Sequence, residues 1–115
     1  MALTQNKVEK VAEALDFNVD FTKDTNGNKS AEFSTYSPCG QDFNFSIDYK
    51  KISDLPKEIY EYYHAYDPSY ETSLWIDSTG HGKNGAPYEI GDIYEDMQWC
   101  EASIKELYEA LQEVA

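Results

Sequence analysis

The chain contains no arginine: its nine basic residues are all lysine, set against 22 carboxylates for a net charge of −13. Arginine supplies the planar, bidentate grip on phosphates and base edges. Its absence, together with like-charge repulsion, excludes direct binding to DNA, RNA or an anionic membrane. No run approaches the ~20 apolar residues of a membrane span, and the opening MALTQNKVEK has no apolar signal segment. A cytoplasmic protein is expected. Only two cysteines occur, Cys39 and Cys100. Free thiols are the simple expectation in that compartment, with a disulfide between them as the alternative. No repeat, low-complexity tract or linker interrupts the 115 residues, so 1–115 reads as one domain.

What is abundant is tyrosine and carboxylate, and both are unevenly placed. Residues 1–53 carry eight acids and six lysines, whereas 54–115 carry fourteen acids and three lysines. The net charges are −2 and −11, so the negative field belongs to the second half. Ten tyrosines, each a large apolar body with a wet tip, are expected at the margin between core and surface.

Hydrophobic periodicity gives an α+β fold. Residues 4–16 form a helix with Thr4 as N-cap, since Val8, Val11, Ala12 and Leu15 share one face. Three strands follow as an antiparallel meander. Phe17, Val19 and Phe21 alternate with polar residues, then Ala31, Phe33 and Thr35, then Phe43, Phe45, Ile47 and Tyr49. Asn26-Gly27 supplies the first turn and Ser37-Pro38-Cys39-Gly40 the second. Ser53 or Asp54 caps a helix that turns Leu55, Ile59, Tyr62, Tyr63 and Tyr66 inward. Asp67-Pro68 opens a short helix over 68–77, with a strand at 73–77 as the alternative. Residues 78–87 read as a flexible loop. The order is α-β-β-β-α-α-α, with helices packed on one face of the sheet.

The last helix is the most regular element. Ile90, Ile93, Met97, Cys100, Ile104, Leu107, Leu111 and Val114 step by alternating threes and fours. This seam is held for roughly 36 Å. It is expected either to lie across the sheet and shorter helices or to pair in part with a second copy, since a three-stranded sheet covers little of so long a stripe.

Catalytic and metal signals are absent or broken. His64 and His81 have no partner at ligand spacing. Asp24-Thr25-Asn26-Gly27-Asn28 imitates the start of a calcium loop, but Lys29 stands where glycine is required, so a hairpin turn accounts for it. The glycine loop around Lys83 lacks the phosphate-cradling spacing. A nucleophilic Cys39 needs a histidine in reach that spacing alone does not supply. No catalytic residue, metal or cofactor is expected.

The candidate site is instead a surface. Asp92, Glu95, Asp96, Glu106, Glu109 and Glu113 fall largely on one side of the last helix. They form either a solvated face or an anionic stripe suited to a basic protein partner, in its sharper form a nucleic-acid mimic that blocks a DNA-binding protein. Among Tyr60, Tyr62, Tyr63, Tyr66 and Tyr70 not all can be buried on one helix, so Tyr60, Tyr63 and Tyr70 are assigned to a partner-binding rim. The protein is read as a non-enzymatic interaction domain, monomeric or homodimeric, the alternative function being an accessory module that homodimerises through the last helix.

The run Ser37-Pro38-Cys39-Gly40-Gln41-Asp42-Phe43-Asn44-Phe45, with Tyr66-Asp67-Pro68, Trp75, Gly85-Ala86-Pro87 and the Asp96 helix, resembles a family of small acidic proteins from gut Firmicutes and their mobile elements. The likeness spans about residues 30–112 and departs at Met97, where a small residue is expected. It implies an intracellular bacterial or phage origin and assigns no activity and no catalytic residue.

Overall fold

In the computed structural model, which describes residues 2–115, the alternation of apolar side chains sets the sheet. Strands β1 (Asn18–Lys23), β2 (Lys29–Tyr36) and β3 (Asp42–Tyr49) pair antiparallel in the order β1-β2-β3. The register places Val19 opposite Phe33 and Phe33 opposite Phe45, with Phe21, Ala31 and Ile47 in the next inward row. Along β3 burial alternates without a break, leaving Asn44, Ser46 and Asp48 outside. A one-residue slip would turn all four of its apolar side chains to water, so the register is strongly specified. Gly27 at φ +83° closes the first hairpin, and the Asp24 carboxylate accepts from the Asn26 and Asn28 amides at 2.8 and 2.9 Å. Asp24 thus caps a turn, and these hydrogen bonds, Asn28 first, lower its pKa.

Helix α1 (Gln5–Ala14) is capped by Thr4, whose hydroxyl accepts from the Lys7 amide at 3.2 Å. It ends two residues before the expected boundary, because Asp16 takes a left-handed φ of 64° to lead into β1. Helix α2 (Leu55–Ala65) is entered through a 3-10 turn at Ile52–Asp54, and Asp54 makes no capping hydrogen bond, contrary to the expected cap. Leu55, Ile59 and Tyr66 are buried, while Tyr62 and Tyr63 are half-buried. Helix α3 (Pro68–Ser73) starts on Asp67, whose carboxylate accepts from Ser69 and Tyr70.

The expected 68–77 helix is too long. It stops at Ser73, and Ile76 instead forms an isolated antiparallel bridge with Gly82. The chain doubles back on itself, with the Lys83 amide donating to the Trp75 carbonyl at 2.9 Å and the Gly82 amide to the Tyr88 carbonyl at 3.1 Å. His81 stacks on Tyr88 at 3.9 Å, and the Gln41 side chain donates to the Gly85 carbonyl at 2.7 Å. Residues 74–88 are therefore a hydrogen-bonded clasp, where the glycine content predicts a flexible loop.

Helix α4 (Ile90–Val114) is about 37 Å long at ~1.5 Å per residue, more than the sheet can cover. Its second half joins the main core, where Ile104, Leu107 and Leu111 cluster with Phe33, Phe45, Val8 and Ile59. Its first half is met by α3 and Tyr66, and a Cβ at Gly82 would stand 3.1 Å from Ile93. The result is elongated, 50 × 31 × 21 Å. Six of the eight seam residues are buried and only the end residues Ile90 and Val114 are exposed. Most of the seam is thus taken up by the chain's own core.

Candidate functional site

At ~100° per residue, Glu95, Glu106, Glu109 and Glu113 project within about 60° of one another on α4, and all four are exposed. Asp92, also exposed, flanks them. This stripe lies opposite the buried seam. Trp99, 36 % exposed, stands within it, one turn from Glu95 and two turns from Glu106. Sequence reasoning passed over Trp99, yet a signal was present: it is a large aromatic outside the seam of an otherwise regular amphipathic helix.

Asp96 does not belong to that stripe, which corrects the expectation. It is only 3 % exposed, because the β2–β3 turn packs onto α4 at this position. One carboxylate oxygen accepts from the Cys39 amide at 3.2 Å, and the other is buried with no hydrogen-bond partner.

The lysines stand mostly elsewhere. Lys23, Lys29 and Lys50 gather at the sheet end remote from the Cys39 turn, as the register requires. Lys105 is the single lysine on α4. At the helix C-terminus, Lys7 and Lys10 share a shallow groove with Glu113, so that carboxylate has cationic neighbours and Glu95 and Glu106 are the freer ones. No basic residue occupies the last turn of α4. Carboxylates near the negative end of a helix oppose its dipole by a few tenths of a kcal/mol each. Helix stability therefore does not account for Glu109 and Glu113.

The tyrosines divide into two places. Tyr60 packs on Tyr108 at 4.7 Å and edge-on to His64 at 4.3 Å, with Tyr63 at 6.5 Å. This cluster fills the α2–α4 junction, on the flank away from the acidic stripe. Tyr70, 61 % exposed, sits apart on α3. The structure joins Tyr60 to both Tyr63 and Tyr108, and places this cluster apart from the α4 carboxylate stripe.

Behind α3 lies a buried set of weak acids. Burial pushes the Tyr62 hydroxyl up to about 12, and raises Tyr66, whose hydroxyl donates to Met97 sulfur at 3.6 Å. Burial, then the Asp96 charge, pushes the Cys100 thiol from 9.0 up to about 12. In each case the fold holds the proton more tightly than the unfolded chain does. Their contribution to stability is therefore fully present below about pH 9 and is lost as pH rises toward 12. A fluorescence-monitored urea titration is expected to show a falling midpoint across that window, with Cys100→Ala shallower than the parent. A flat midpoint would contradict the burial.

Among the described residues no three His, Cys, Asp or Glu side chains converge to hold a metal ion, and no helix is long and apolar enough to cross a membrane. Both thiols are free, Cys39 exposed and Cys100 buried. No protein-family model, curated protein or solved structure matches the chain, so the family resemblance of the 37–45 run receives no support from them.

Proposed function

We propose that the protein is a non-enzymatic interaction domain that uses the outer face of α4 to dock on a basic protein. The observation that carries this is Trp99 set among exposed carboxylates on one rigid helix. Tryptophan is the residue type most often found to dominate binding energy, and flanking charge steers a cationic partner onto it. A helix already fixed by its buried seam loses little conformational freedom on binding.

The nucleic-acid-mimic version draws on the same charge, with a magnitude against it. Helix α4 carries seven carboxylates in 25 residues, about one per 5 Å, whereas one DNA strand carries one charge per ~3.4 Å and the duplex one per ~1.7 Å. The spacing supports docking on a basic protein better than close imitation of a duplex.

The test is titration of a strongly basic duplex-binding protein into a Trp75→Phe variant, with Trp99 fluorescence as the signal. Trp99 emission is expected to shift, and affinity to fall about tenfold or more as salt rises from about 50 to about 200 mM. The reversal Glu95→Lys with Glu106→Lys should remove most of the binding. Salt-independent binding, or a reversal without effect, would defeat the proposal.

A further inference from the structure

The sheet leaves two strands with an unpaired edge, β1 and β3, and the two are not equivalent. On β3 the inward side chains are buried throughout, with Tyr62 of α2 stacked on Phe45 at 4.9 Å. On β1 the matching side chains, Val19 and Phe21, are only half-buried, although their neighbours Phe33 and Ala31 on β2 are fully enclosed. A further strand would therefore bury apolar surface beside β1 and gain little beside β3.

The backbone of β1 is directed to receive one. The Asp24 amide donates to the Asn28 carbonyl at 2.9 Å, so in the observed register Asn18, Asp20 and Thr22 turn their amides and carbonyls to β2. Val19 and Phe21 turn theirs away from the sheet, and no other backbone among the described residues pairs with them. Such a row is a template for another chain, and exposed edges are usually blunted by proline, a bulge or an inward-pointing charge. Between Asn18 and Thr22, β1 has no proline, its register runs without a bulge, and its inward residues are apolar.

The edge opens onto space. Glu9 and Glu13 of α1 line, with Val19 and Asp20, an open groove of about 380 Å³ that no described basic residue borders. Phe21 lines another, of about 370 Å³, with Gln5 and Ile52. On the outer face Asp20 lies directly opposite Glu32, a like-charge pair that costs stability. A cationic side chain on the far side of Asp20 would offset it.

We infer that the β1 edge takes up an extended basic segment of a partner protein as a fourth strand. Paired antiparallel, its residues opposite Val19 and Phe21 point inward and are apolar. The residue between them faces Asp20 on the outer face and is lysine or arginine. What is recognised is an apolar–basic–apolar alternation, held by main-chain hydrogen bonds. A second copy of this chain is the wrong occupant, since it would bring a net charge of −13 onto the same carboxylates. The surface shares no residue with the outer face of α4 and does not depend on docking there.

The probe is the blocked peptide Ac-Thr-Val-Lys-Val-Lys-Val-Thr-NH2, titrated into the intact chain and followed by amide chemical shifts and hydrogen exchange. The Val19 and Phe21 amides are expected to shift saturably and to exchange about tenfold more slowly, while Asp20, already bonded to β2, keeps its exchange rate. That alternation is the signature of strand addition. Replacing both peptide lysines with glutamate, or N-methylating the central valine, should weaken binding about tenfold. The exposed pair Glu13→Lys with Asp20→Lys should weaken it as much while keeping the far-UV circular dichroism of the parent. Equal binding by the glutamate or N-methylated peptide, or shifts centred on the outer face of α4, would overturn the inference. So would slow exchange at Val19 and Phe21 in the peptide-free chain at concentrations where sedimentation shows a dimer, which would give the edge to a second copy.

Discussion

Leu107→Asp is expected to abolish folding, not to split a dimer into stable monomers. Leu107 is fully buried in the cluster that joins α4 to Phe33, Phe45 and Ile59. Truncation to alanine at such a site costs about 2–5 kcal/mol, and a carboxylate adds the cost of burying a charge. Domains of this size are typically stable by only ~5–15 kcal/mol. Far-UV circular dichroism should show the aspartate variant largely unfolded at 25 °C, and urea titration should place Leu107→Ala about 3 kcal/mol below the parent. A folded, monomeric Leu107→Asp protein derived from a dimeric parent would instead place the seam at an interface between copies.

Gly82→Ala is the second large effect, and it should be local. A Cβ at Gly82 would lie 1.8 Å from the Pro87 carbonyl oxygen and 3.1 Å from Ile93, and the first neighbour is backbone that cannot swing aside. The Ile76 bridge and the hydrogen bond from the Gly82 amide to the Tyr88 carbonyl both pass through this point. A loss of about 2–3 kcal/mol is expected, in the range of overpacked cores. Hydrogen exchange should accelerate over residues 74–88 and the first turns of α4, while β2 and β3 keep their protection. An unchanged exchange pattern would mean that the clasp does not hold this end of α4.

Where a single element decides burial, the sequence is a sufficient guide. Phe43, Phe45, Ile47 and Tyr49 alternate with polar residues because one face of β3 meets core and the other water. The α4 seam is equally plain for the same reason. Asp96 shows where such reasoning stops. It lies next to the seam on the helix surface, and whether it is wet depends on a turn 57 residues away in sequence. The pairing of Tyr60 with Tyr108 is likewise set by how α2 and α4 cross, which no local pattern records. The 74–88 clasp was hidden by its composition. Glycines that favour mobility in isolation here permit a close backbone approach at Gly82, with Asp77, His81 and Tyr88 supplying the fastenings. Asp77 accepts from the Thr79 side chain and amide, bonds that lower its pKa.

Residues 54–115 carry fourteen acids and three lysines against eight and six in residues 1–53, so charge is unevenly shared over a body 50 Å long. A cationic surface diffusing past would rotate it before touching it, presenting the α4 flank ahead of the sheet. Pre-orientation of that kind raises productive collisions above the ~10⁵–10⁷ M⁻¹s⁻¹ usual for two patches that must find each other unaided. The gain should vanish in high salt while the dissociation rate barely moves.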